Sequence, residues 1–265
     1  MALTAVGGSF GHQARIIFVC VRRIVHLKSR DTPLGVLSNL IEPMATIAML
    51  TLVFTTVKLR VPMLGDYVML FLMTGILPIS MFRNGAQQSE GAVRQLKRNL
   101  VLPQIKPLDL MISGVITSML TISTLFLFVT ILFWLVYNVE WPQNIVFCAI
   151  PAVCNGLIGL GFGCINLVIK SWFLYWGTIF GIVTAPIGLL SGMFYTVDRF
   201  PQKIQDILYY NPFMHSTELT RTFFYKEYTS EFFDPLYYYG WTFTALAVGL
   251  VCERVFRYRL AMDRK

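Results

Sequence analysis

The chain has 265 residues, of which 55% are hydrophobic and only 14% charged, against roughly 25% charged in an average soluble domain. With a mean hydropathy of +0.62, that balance excludes a soluble single-core protein and calls for an integral membrane protein. The formal net charge of +8 is therefore read loop by loop across a bilayer, and not as affinity for nucleic acid.

Residues 1–33 are expected to form an amphipathic helix lying on the membrane surface. At helical spacing His12, Arg15, Arg22, Arg23, His26, Ser29 and Arg30 gather on one side, and Ile16, Ile17, Cys20, Val21, Ile24, Val25 and Leu27 on the other, with Val19 and Lys28 out of place. That is the pattern of an interfacial helix facing anionic headgroups. No short apolar core with a small-residue cleavage site precedes it, so no removable signal peptide is expected.

Residues 34–265 read as an all-α membrane domain with six spans at 34–57, 67–85, 108–137, 144–169, 172–195 and 236–257. Each span needs on the order of 20 apolar residues. Glu42-Pro43 lies inside the first of them. An intramembrane carboxylate is costly and marks a candidate functional position, although a hydrated Glu near the interface would look the same in the sequence.

Between the second and third spans, 83–107 carries Arg83, Arg94, Lys97, Arg98 and Lys106 against the single carboxylate Glu90. Val93, Leu96, Leu100 and Val101 fall on one helical face and the basic residues of 94–98 on another, which predicts a short amphipathic helix over 90–102. The loop serves either as a handle for a soluble partner or only as a topology signal. Sixteen Lys and Arg fall on the side of this loop and the termini, and six on the other, which predicts both termini in the cytoplasm.

The segment 194–235 mixes aromatic residues with carboxylates. Prolines at 201 and 212 suit first helical turns and predict two short helices, 201–210 and 212–225. A pair dipping back into the outer leaflet would place rings at headgroup depth, and rings beside carboxylates also suit sugar; a plain aromatic belt is the alternative.

Enzyme signatures are missing. There is no G-x-x-x-x-G-K-[ST] and no H-E-x-x-H, and Gly188-Leu189-Leu190-Ser191-Gly192 has no histidine in the last span to activate Ser191. Cys20, Cys148, Cys154, Cys164 and Cys252 are odd in number, sit in or beside apolar runs and show no metal-ligand spacing, so they are read as small apolar residues. No repeat is visible and the halves are not alike, which disfavours the inverted-repeat transporters.

Taken together, Glu42-Pro43, Leu102-Pro103 with Pro107, Ser191-Gly192-Met193-Phe194-Tyr195, Phe200-Pro201, Tyr210-Asn211-Pro212-Phe213-Met214-His215, Glu218 with Arg221, and Phe223-Phe224 resemble one family. It is the inner-membrane permease subunits of ABC-2 type exporters, most closely the capsular polysaccharide branch. One departure is Gln104, where a basic residue is usual.

The resemblance implies a homodimer with its channel between protomers, in the bacterial inner membrane. It implies a separate cytoplasmic ABC ATPase dimer carrying ATP and Mg, while this chain holds no cofactor. The cargo expected is a lipid-linked, acidic polysaccharide, passed on to periplasmic and outer-membrane export proteins. Arg94, Lys97, Arg98 and Leu100 would couple to the ATPase, and Glu42, Phe194 and Tyr195 would border the path. Tyr209, Tyr210, Asn211, Pro212, Glu218, Arg221 and Phe224, in the periplasmic re-entrant segment 194–235, would form an outer gate. Export of an O-antigen or teichoic-type polymer, a drug or a small lipid by the same architecture is the nearest rival, ahead of an intramembrane enzyme or a passive anchor.

Overall fold

A computed structural model describes residues 2–30, 35–57, 64–99, 106–173 and 175–262; within its helices, the side chains of 2–10, 12, 27–30, 35–40, 42, 92, 94–99 and 257–262 lie outside the description. The described residues form helices and connecting turns, with no strand. In chain order they are α1 Ala2–Arg30, α2 Gly35–Thr56, α3 Val68–Asn99, α4 Pro107–Tyr137, α5 Ala149–Lys170, α6 Trp176–Leu189, α7 Gln202–Tyr209, α8 Pro212–Phe224 and α9 Pro235–Met262, with a 3-10 turn Val197–Arg199 before α7.

Three of these are long and apolar enough to cross a bilayer: the Val68–Gly91 part of α3, α4 and α5. α4 makes the membrane reading concrete. Its 31 residues would extend about 46 Å at 1.5 Å per residue, yet only 28% of its most apolar window is buried. Leu120, Leu127, Phe128, Ile131, Trp134 and Leu135 all face outward. A water-soluble protein does not leave so large an apolar face uncovered, whereas lipid solvates it at no cost. α3 is the opposite case, buried on all sides from Leu70 to Ile79, as the central helix of a bundle must be.

Helices occupy all six stretches expected as spans, with two adjustments at the ends. α5 begins at Ala149 rather than 144, because 144–148 close as consecutive turns, Phe147 and Cys148 bonding back to the Asn144 carbonyl. α6 is only 14 residues, Trp176–Leu189, because 190–195 leave the helix in a turn; Gly192 there has φ +80°. The expected separate helix over 90–102 is not separate. Its described part, to Asn99, is the last portion of α3, which runs unbroken through Arg83 because nothing between Pro78 and Asn99 forces a break.

α1 rests its Cys20 and Ile24 against Leu110, Met111 and Val115 of α4, so its apolar face meets protein as well as whatever lies below. Gln13 donates to Asp109 at 3.1 Å and Ser113 donates to the Ile17 carbonyl at 3.3 Å, which fixes the register of α1 on α4.

Candidate functional site

α7 and α8 appear where the two prolines predict them, each within about a residue of the expected ends. Asn211 caps α8: its Oδ1 accepts the Phe213 amide at 3.1 Å, and its Nδ2 donates to the Ile187 carbonyl of α6 at 3.1 Å. Pro212 then supplies the first turn.

α8 is not a surface helix. Every residue from Pro212 to Arg221 is buried, including Ser216, Thr217, Glu218, Thr220 and Arg221. Burial of so many polar groups demands partners, and they are found on four other elements. Arg221 donates from Nη1 to the Tyr195 carbonyl and from Nη2 to the Gly192 carbonyl, both at 2.7 Å. Its guanidinium lies 4.2 Å from the centroid of the Phe71 ring of α3 and 3.4 Å from Glu218 Oε1 one turn back. The Tyr228 hydroxyl lies against Glu218 Oε2 and 3.0 Å from Asp198 Oδ2; with one hydrogen it donates to one carboxylate at a time.

Arg221 thus ties the α6–α7 turn, α8 and α3 together. The turn depends on Gly192, whose left-handed φ excludes most side chains and where a Cβ would strike the Met214 side chain at 2.7 Å.

Asn155 of α5 holds the other side of α8. Its Nδ2 donates to the Pro78 carbonyl at 2.7 Å and to Ser216 Oγ at 2.6 Å, and its Oδ1 accepts from Tyr238 of α9 at 3.0 Å. One amide therefore joins α3, α5, α8 and α9.

His215 of α8 sits under a shell of rings, Phe232 stacked on it at 5.1 Å and 23° and Tyr209 edge-on at 5.1 Å. Its Nδ1 accepts the Asp234 amide at 3.3 Å and its Nε2 faces the Tyr209 carbonyl at 2.9 Å, a pairing that requires the neutral Nε2–H tautomer.

Asp234 ends this shell and starts α9. The Tyr209 hydroxyl donates to it, and the Tyr237 and Leu236 amides bond its Oδ1 at 3.1 and 2.9 Å. The Tyr209 bond first, and the amides after it, hold the Asp234 carboxyl below the usual carboxylate range. Its contribution is complete above the ordinary Asp value of about 3.9 and is lost as the pH falls through the depressed one. Melting in detergent from about pH 6 down to about pH 3 should show this loss, and Asp234→Asn should flatten part of it. An unchanged acid dependence in the variant would remove Asp234 from the account.

The residues expected to act are placed as follows. Arg94, Lys97 and Arg98 lie on α3 and Glu42 on α2, with side chains outside the described set; Leu100 lies outside it altogether. Phe194 stacks on Phe54 of α2 at 5.8 Å, and Tyr195 meets Phe200 edge-on at 4.9 Å. Tyr209 is half-buried on Asp234, and Tyr210 is 73% exposed. Pro212, Glu218, Arg221 and Phe224 are buried, Phe224 against Phe126 of α4. The sequence reading missed Asn155, Tyr228 and Tyr238, and also the pair of Lys170 with Glu90 at 2.6 Å that ties α5 to α3.

Two hollows adjoin the cluster. One of about 270 Å³ is apolar and lies among Leu77, Ile122, Phe126, Val146 and Cys148. The other, of about 680 Å³, is an open groove beside α7.

A chain whose described residues form only helices and turns, with apolar helix faces left to lipid and a buried polar cluster around α8, is a helical membrane protein. Residues 15–225 match the model of the ABC-2 type transporter family, and the chain belongs to that family. Its relatives are capsule polysaccharide export permeases. It is 21% identical to the capsule polysaccharide export inner-membrane protein CtrC of Neisseria meningitidis serogroup B over 248 residues, 93% of each chain. It is 23% identical to the polysialic acid transport protein KpsM of Escherichia coli over 83% of this chain and 85% of that one. The capsule polysaccharide export inner-membrane protein BexB of Haemophilus influenzae is 26% identical over 57% of each.

Proposed function

We propose that this chain is the transmembrane subunit of an exporter that moves a lipid-linked capsular or similar polysaccharide outward across the inner membrane. It works as a homodimer driven by a separate pair of ABC ATPases, which carry the ATP and Mg. The observation that carries this reading is the collinear match with CtrC over 93% of both chains.

In this reading α2, α3, α4, α5, α6 and α9 are six spans, both termini are cytoplasmic, and α7 and α8 form a re-entrant pair on the outer side. The excess of Lys and Arg in 1–30, 83–106 and 254–265 supports that orientation. Arg94, Lys97 and Arg98, with Leu100 beyond, receive the nucleotide-driven push. An unbroken α3 supports this role: the helix that carries those residues also carries Phe71, under Arg221 at its other end. Glu42, Phe194 and Tyr195 border the path, and the α7–α8 pair with Tyr209, Tyr210 and Asn211 forms the outer gate. Periplasmic export proteins take the polymer on.

The test is reconstitution. The purified chain alone should hydrolyse no ATP, and adding the cognate ATPase should give turnover and export. Replacing Arg94, Lys97 and Arg98 together by Gln should weaken ATPase docking, most strongly at low salt, while membrane insertion stays intact. ATP turnover by the isolated chain would end the permease reading. Unchanged docking in the triple variant would reduce the basic stretch to a topology signal.

A further inference from the structure

The groove beside α7 has a built lining. Gln202, Gln205, Asp206 and Tyr209 occur at i, i+3, i+4 and i+7 of α7 and so share one face, and all four line it. Asp198, Tyr210, Glu231 and Phe232 complete the walls. The rings are held in place: Phe232 is stacked on His215, and Tyr209 meets Phe232 edge-on at 6.0 Å and Tyr210 at 6.1 Å. The polar groups are also oriented. Gln202 donates to Asp206 at 3.1 Å, Gln205 to the Phe200 carbonyl at 2.8 Å, and Asp198 lies 3.0 Å from the Tyr228 hydroxyl.

The electrostatics are one-sided. Among the described residues the lining carries three carboxylates and no Lys or Arg. Lys203 is turned onto another face of α7, about 100° from Gln202. The histidine beneath Phe232 is neutral, as its two hydrogen bonds require. A cleft lined by one sign of charge focuses that sign, so this groove repels anions. It is not a metal site either: no three His, Cys, Asp or Glu among the described residues converge closely enough to hold an ion.

Planar carboxylates and amides bond vicinal hydroxyls in pairs, and flat rings stack on the C–H faces of pyranoses. We infer that the groove is a subsite for uncharged, hydroxyl-rich sugar residues of the exported chain, and that a run of acidic sugars is excluded from it. This rests on the polysaccharide permease reading, narrows its substrate and departs from the acidic cargo expected from the sequence, as it does from KpsM of Escherichia coli, named for transport of polysialic acid, a polyanion.

The experiment uses the full chain in nanodiscs of phosphatidylcholine alone, so that no lipid-borne sugar occupies the groove. Binding of a neutral glucose oligomer and of a sialic acid oligomer of equal length is titrated by calorimetry at low and physiological salt. The neutral oligomer should bind saturably, and the acidic one should neither bind nor compete. Tyr210→Ala and Asp206→Asn change exposed side chains, and each should weaken the neutral oligomer about tenfold, the scale of one well-placed contact. Melting curves matching the parent show that the variants are folded.

No saturable binding of the neutral oligomer, equal binding of the acidic one, or parent-like affinity in both variants would overturn the subsite. The permease reading is distinguishable from it, because partner-dependent export is measured separately and survives any of these results.

Discussion

Replacing Arg221 by Met should destabilise the protein by about 3–5 kcal/mol, the cost of removing one partner from a buried ion pair. Arg221 and Glu218 are both fully buried. Met fills much of the same volume but leaves the Glu218 carboxylate without its cation, and the Gly192 and Tyr195 carbonyls without donors. The loss should appear as a lower melting temperature in detergent. The double variant Glu218→Gln with Arg221→Met should recover a large part of it, since no lone charge remains and Gln can still accept from Tyr228. If the single variant melts with the parent, or the double is no better than the single, the pair does not hold the α6–α7 turn to α8.

This bears on the gate. Arg221, Glu218 and Phe224 are enclosed within the chain, so in the proposed gate the residues of α7–α8 that would meet cargo in this conformation are the exposed ones, Tyr210 foremost. The buried set gives the pair its shape and α3 its link to that shape through Phe71. Export defects from Arg221→Met are then expected to track the loss of folded protein, whereas those from Tyr210→Ala are expected without it.

Much of the helical layout was legible because it depends on local signals. Apolar runs gave the long helices, and Pro201 and Pro212 marked α7 and α8 almost to the residue. The character of α8 was not legible. Ser216, Thr217, Glu218, Thr220 and Arg221 would suit a solvated face, and their burial depends on Asn155, Gly192 and Phe71, which lie far away in sequence.

For the same reason Glu90 reads as part of a basic loop, although it is paired with Lys170, 80 positions on. The helix break expected near 90 was inferred from a change in composition. Composition alone does not end a helix; that needs a stop signal such as a proline or a C-terminal cap, and no proline lies between Pro78 and Asn99.

The contact of α5 with α9 should be the most sensitive packing in the bundle, and two glycines make it testable. A Cβ on Gly161 would lie 2.3 Å from the Ala245 carbonyl oxygen, and one on Gly249 would lie 2.3 Å from the Gly161 carbonyl oxygen. In both cases the obstacle is backbone, so no side chain can turn aside and the helices must separate. Close approach of small residues is what holds helices together in lipid, where no hydrophobic force acts between them. Gly161→Val and Gly249→Val should therefore each cost at least the roughly 1–3 kcal/mol typical of overpacking, and more where the strain cannot relax. Even Ala should be destabilising at these two positions. Gly181 and Gly240 have open space where their Cβ would lie, and each is in a helix. There Ala should be neutral or should raise stability by about 0.5–1 kcal/mol, through helix propensity alone. Melting temperatures of the four Ala variants should separate into two pairs. If Gly161→Ala and Gly249→Ala melt with Gly181→Ala and Gly240→Ala, α5 and α9 do not approach as closely as this structure has them, and the arrangement that holds Tyr238 on Asn155 must be drawn differently.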